Sequence, residues 1–378
     1  MIARTRGFTV IELLVVVVII ALLMVMLLPA LSASRKAARR TLSANNLREI
    51  GKALTNYEAA KGHFPPSWQE PEFADGNNVN GWSIHSLLLP YLEEEKIVKR
   101  IDFKRSYTDY TSGGAGGGVV TADNTASNLS AMRVSVFVSP DEPRDEPRLE
   151  NGEPTHYPLN YAANLGTFFV WDPATGEVGN GAFGPGRGFS AASVTDGLSH
   201  TIAFAEVRAW QPYGRNNGHD ASESHISDIF AAVSPDANGA LDAPADVADI
   251  EALVQEADGA GNFKSNSGHT EWVDGRAHQI GFTTVFGPNE RVLADVKGDG
   301  KLVDVDWTNW QEGKNRASGA EHPTFAAVTA RSYREEGVLV LLLGGSVNLV
   351  SPEINIGAWR AYSSRNGDEL IANDQQIR

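Results

Sequence analysis

One carboxylate stands at the edge of a strongly apolar run. In "RGFTVIELLVVVVIIALLMVMLLPAL", Glu12 directly precedes nineteen uncharged, mostly apolar residues, Leu13–Leu31. An acid at the centre of a membrane span costs about 2.5–3.5 kcal/mol on insertion scales, and less near an interface. Two chemistries answer that cost: Glu12 snorkels to water, or a partner neutralises it. No Lys, Arg or His lies between Phe8 and Ser34. A cut between Gly7 and Phe8 would place the new Phe8 α-amine one helical turn from Glu12, where it can pair with the acid of its own chain or of a neighbour.

Three further groups invite a metal. Asp295, Asp299, Gly300 and Asp306 in "DVKGDGKLVDVD" fall at positions 1, 5, 6 and 12 of a calcium loop. Lys297 and Val303, at positions 3 and 9, do not suit it, and the alternative is a solvated acidic turn. His219, Glu223 and His225 form one His/Glu group, and His269, Glu271 and His278 form another. Neither has a strong metal spacing. The second group also fits polar residues packed around Trp272.

Enzyme signatures are missing from the sequence. There is no Gly-x-Ser-x-Gly elbow, no His-Glu-x-x-His and no Walker loop. The Gly-rich stretch 113–118 lacks the Lys-Ser/Thr that would make it a phosphate cradle. Cysteine is absent, which excludes disulfides, thiolate metal sites and a thiol nucleophile. The expectation is a non-enzymatic protein without a cofactor, a weak calcium site at Asp295, Asp299 and Asp306 aside.

The elements that must position Glu12 follow from charge and periodicity. Residues 1–62 carry nine Lys/Arg against three Asp/Glu, a net +6; residues 63–378 carry 23 against 44, a net −21. So acidic a body is no nucleic-acid binder. The apolar run exceeds the 7–15 residues of a secretory signal core and meets the roughly 20 residues needed to span a bilayer. Leu47, Ile50, Leu54 and Tyr57 continue it as a helical stripe, and Gly62 with Pro65 and Pro66 stops it. Arg35, Lys36, Arg39 and Arg40 lie where lipid headgroups or solvent would meet them.

The expected architecture is α+β, a long N-terminal transmembrane and amphipathic helix packed on a β-rich globular head. Residues 1–7 form a leader. Residues 8–62 form the helix, transmembrane over about 11–33, and residues 63–378 form the head. Expected strands are Val134–Val138, Thr201–Val207, Gly281–Phe286, Val338–Leu343 and Ser346–Val350, the last two joined by a two-residue turn at Gly344-Gly345. Ser83–Lys99 is expected to be helical with a break at Pro90. Residues 216–263, with ten acids and no Lys or Arg, read as a surface insertion with a helix near Val247–Glu256.

The Gly-Phe-Thr-x-x-Glu pattern before an apolar span resembles the prepilin-type cleavage and methylation segment of type IV pilins and type II secretion pseudopilins. The resemblance implies cleavage after Gly7 by prepilin peptidase, methylation of the Phe8 amine, and an assembly role for Glu12. Pro29 matches the helix-kinking proline often seen there. "NNLREIGKALTNYEAAKGHFPPS", "LNYAANLGT", "FSAASVTDGLSHTIAFAEV" and "GGSVNLVSPEINIGAWRAYSSRNGDEL" resemble the bacterial family of domain of unknown function 1559. This chain departs from that family's usual His-containing segment and Asp-Gly turn, with Tyr333–Gly337 and Gly344-Gly345 in their places. The resemblance implies a pilin-like or pseudopilin-like structural subunit. It would sit in the inner membrane by a single pass, with its head in the periplasm or at the cell surface and with other copies or related subunits as partners. The flanking cations, two before the span and four after, favour the opposite orientation. The alternative function is a membrane-tethered module that binds a glycan, protein or ion.

Overall fold

The computed structural model describes residues 10–70, 72, 81–110, 129–173, 175–215, 251–255, 261–309, 323–367 and 377. It is an α+β structure in which one long helix leads into a β-rich head. Helix α1, Val10–Lys61, runs for 52 residues, about 78 Å at 1.5 Å per residue. Glu12 lies in its first turn, where a negative charge opposes the helix dipole. Pro29 lies inside the helix. The helix ends where Gly62 turns left-handed, at φ 79°, and donates its N–H to Glu58 O at 2.7 Å.

Two environments divide α1. Every described side chain from Val10 to Leu42 is exposed. From Ser43 onward one stripe is buried: Ala44, Leu47, Ile50, Ala53, Leu54 and Tyr57. Their spacing of three and four residues is the helical stripe expected from the sequence.

The stripe rests on a five-stranded sheet. Its order is β11 (Gly281–Phe282), β5 (Tyr161–Asn164), β8 (Ile202–Glu206), β16 (Val338–Leu342) and β17 (Val347–Val350). Strands β8 and β16 are buried throughout, which explains why both read as continuous apolar runs. Gly51 brings the helix backbone close to β16: a Cβ there would lie 3.0 Å from Leu341 Cδ1.

A six-stranded sheet is the second large sheet of the head. Its order is β10 (Phe263–Gly268), β9 (Gln211–Arg215), β14 (Asp306–Thr308), β15 (Thr324–Ala327), β6 (Phe169–Asp172) and β7 (Glu177–Val178). Phe168, Phe325 and Trp307 anchor its own apolar cluster, together with Leu253 and Val254 from the helical residues 251–255. Among the described residues, three two-stranded ribbons complete the strands: β1 (Trp68–Gln69) with β2 (Trp82–Ser83), β3 (Arg148–Glu150) with β4 (Glu153–His156), and β12 (Leu293–Ala294) with β13 (Val303–Asp304).

Some expected elements differ. Val134–Val138 is not a strand: Ser135–Phe137 is a 3-10 turn that buries Val134 and Phe137, three residues apart. Gly281–Phe286 contributes only the two residues of β11, paired parallel to β5. The connection from β16 to β17 spans four residues, 343–346, and not two. Leu342 N donates to Ser346 O, and Gly345 closes the turn at φ 89°. Ser83–Lys99 breaks at Pro90 as expected, into α2 (Ile84–Leu88), a 3-10 turn Leu89–Tyr91 and α3 (Glu95–Val98). Two further helices are α4 (Ala277–Ile280) and α5 (Ile356–Ser363). The Gly-rich stretch 113–118, His219, Glu223, His225 and most of the acidic insertion lie outside the described residues.

Candidate assembly helix and its seat on the head

The seat joins apolar burial to a polar clamp. Leu47 and Ile50 are fully buried against the head. Beside them, Asn46 Nδ2 donates to Val138 O at 3.1 Å and to the Tyr161 hydroxyl at 3.3 Å. Ser43 and Ser139 share a hydroxyl hydrogen bond of 3.3 Å. Burial, with the nearby Glu206 charge, pushes the Tyr161 phenol well above its ordinary range, so it stays protonated at this contact.

A chain of charges runs from the helix into the core. Arg39 on α1 lies 3.7 Å from Asp141. Asp141 also pairs with Arg334, and Arg334 pairs with the buried Glu206. Glu206 accepts the Leu339 N–H of β16 at 2.8 Å. Burial raises the Glu206 carboxyl above its ordinary range, and Arg334 opposes that rise. Tyr333 donates its hydroxyl to Glu142 at 2.9 Å. The segment that departs from the usual family pattern therefore ties the helix seat to the head. Sequence reading missed this role because Arg334, Glu206 and Asp141 are far apart along the chain.

Where the exposed and seated parts of α1 meet, an open cleft of about 600 Å³ lies between helix and sheet. Lys36 and Arg40 line it on the helix side, with Leu339, Val347 and Leu349 opposite. The basic cluster thus splits: two of its members face this cleft, and Arg39 reaches Asp141.

Residues 32–357 match the model of a protein family of unknown function (DUF1559), and residues 2–28 match the prokaryotic N-terminal methylation motif. The chain belongs to the DUF1559 family. No curated relative and no solved structure matches it. The methylation motif is the type IV pilin signal, and it implies a pilin-like substrate of prepilin peptidase. Helix α1 is long and apolar enough to cross a membrane, and its most apolar window is wholly unburied.

The site residues expected from the sequence of this DUF1559 protein fall in different places. Glu12 and Pro29 lie on the exposed part of α1; Gly7 and Phe8 lie outside the described residues. Asp295 and Asp299 occupy a tight turn, in which the Asp295 carboxylate accepts the N–H groups of Asp299 at 3.1 Å and Gly300 at 2.9 Å. Asp306, expected at position 12 of a calcium loop, is instead buried on β14 and paired with Arg331. The three carboxylates therefore do not form one calcium loop.

The second His/Glu group is likewise structural. His269 is buried, with Nδ1–H donating to Gln279 O at 2.9 Å, and burial lowers its pKa to about 4. His278 stacks on Tyr213 with ring centroids 4.4 Å apart. Glu271 is held by Arg148 and Arg276. Among the described residues, no three His, Asp or Glu side chains are arranged to hold a metal ion.

Proposed function

We propose that the protein is a structural subunit of an extracytoplasmic filament, of pilus or type II secretion pseudopilus kind. In this reading prepilin peptidase cuts between Gly7 and Phe8 and methylates the new amine. The helix holds the precursor in the inner membrane, with the head outside, and later packs against neighbouring helices in a filament core. One observation carries the reading. The first part of α1, most of it within the methylation motif, is apolar, and its described side chains are uncovered by its own head, whereas the last part is firmly seated. A soluble monomer does not present such a surface to water.

Glu12 then sets register. An incoming subunit brings its Phe8 amine into a region of low dielectric, where an unpaired charge is strongly unfavourable. Glu12 of a neighbour, or of the same chain, supplies the counter-charge. The basic residues at the cleft, Lys36 and Arg40, lie just beyond the apolar run, at the level of lipid headgroups.

The test is Glu12→Leu in cells that make the full chain. Membrane insertion persists, because the span loses a charge, and cleavage persists, because the cut precedes residue 12. Filaments disappear from electron micrographs, and Glu12→Asp gives an intermediate yield. Normal filaments from the Leu variant would contradict the proposal and leave Glu12 as a snorkelling acid on a simple anchor.

A further inference from the structure

The head carries a net charge of −21, yet the lining of one of its pockets holds five cations against three carboxylates. The pocket holds about 610 Å³ and sits between the β9–β10 ribbon and the segment Arg144–Glu150. Several of its cations are matched. Arg144 pairs with Glu146, Arg148 with Glu150 and Glu271, and Arg276 with Asp274 and Glu271. Two are not: among the described residues, neither Arg215 nor Lys264 has a carboxylate at ion-pair distance.

The strand register puts these two together. Lys264 on β10 lies opposite Tyr213 on β9, and Arg215 is two residues beyond Tyr213, on the same face of the ribbon. Arg215 is half-buried. Its Nε–H is buried without a hydrogen-bond partner, and one terminal nitrogen reaches only the Tyr213 hydroxyl, at 3.4 Å. A half-buried guanidinium without a counter-ion is unfavourable in a finished core. An anion at this pocket would supply the missing partner for the Nε–H.

The rest of the lining suits a hydroxylated ring. Trp210 forms one wall. Its backbone is left-handed, at φ 62°, a conformation rare for a bulky residue. Its indole is fixed by the Arg144 guanidinium, 3.5 Å from the ring centroid, and by an Nε1–H bond to Arg144 O. Asn266 and Ser267 add polar residues to the lining. This polar lining disfavours a lipid or an apolar peptide.

We propose that this pocket binds an acidic saccharide, with its carboxylate between Arg215 and Lys264 and its ring against the Trp210 wall. A guanidinium beside an ammonium is well suited to a carboxylate. None of the lining residues belongs to α1.

The experiment is calorimetric titration of the full-length protein in neutral detergent with digalacturonate, with cellobiose as the neutral control and inorganic phosphate as the bare anion. Digalacturonate binds, its affinity falls as salt rises, and cellobiose gives no binding. Arg215→Gln and Lys264→Gln each weaken digalacturonate at least tenfold. Lys264 is only partly buried, so its variant keeps the wild-type unfolding midpoint and separates lost binding from lost folding. No digalacturonate binding, or equal binding by the Lys264→Gln variant, would overturn the proposal. Phosphate binding as tightly as digalacturonate would overturn the saccharide assignment, since the ring would then contribute nothing.

Discussion

Leu47→Ala and Leu22→Ala make the same chemical change at two ends of one helix, and they should behave oppositely. Leu47 is fully buried in the seat, whereas Leu22 is 59% exposed in the subunit. Truncating a fully buried leucine costs the lost transfer energy plus a cavity, about 3–5 kcal/mol. The lower end applies here, because a helix resting on a sheet can settle partly into the gap. Unfolding entropy is about 2.1 cal/mol/K per residue, so a loss of about 3 kcal/mol in a head of roughly 300 residues lowers Tm by about 4–5 °C. Leu22→Ala removes no contact with the head and should change its stability by less than about 0.5 kcal/mol. Scanning calorimetry of the full chain in neutral detergent reads both shifts. Equal shifts, or an unmoved Tm for Leu47→Ala, would refute the division of α1 into a seated half and an uncovered half.

Stability should also fall in acid. Burial holds His85 and His269 near a pKa of about 4, against about 6.5 unfolded. The unfolded chain therefore takes up these protons first. Stability is intact above about pH 6.5 and is lost down to about pH 4, by up to about 3 kcal/mol per histidine. Urea midpoints at pH 7.5 and 4.5 measure the loss, and His85→Gln should remove one histidine's share; an unchanged pH dependence in that variant contradicts the assignment. Arg331→Met leaves the buried Asp306 without its partner and should cost about 3–5 kcal/mol in denaturant unfolding; a loss below 1 kcal/mol speaks against the pair. Millimolar calcium should leave the wild-type Tm unchanged, because Asp306 is held by Arg331; a rise that grows with calcium concentration contradicts this.

What was legible in the sequence is what a single periodicity encodes. Leu47, Ile50, Leu54 and Tyr57 share one face because they recur at helical spacing, and all four are buried. Strands β8 and β16 were legible as unbroken apolar runs because they are buried on both faces. The six-stranded sheet was not. Its strand β9 reads "QPYGR" and β10 reads "FKSNSG", with a proline, glycines and polar residues where a strand pattern is sought. Val134–Val138 misled because β-branched residues favour strands, while the burial of Val134 and Phe137 follows a spacing of three. The charged constellations were hidden for another reason. Arg334, Glu206 and Asp141 meet only through tertiary contact, as does Arg148 with Glu271. The methylation motif was fully legible, because it is a local string of residues.

Mass spectrometry of the N-terminal peptide from the native protein tests the central claim most directly. The peptide should begin at Phe8 and carry one methyl group on its α-amine, with Glu12 fifth in the mature chain. A native peptide that still begins at Met1, or that begins beyond Leu31, would contradict processing at Gly7 and with it the pilin-like assembly of this subunit.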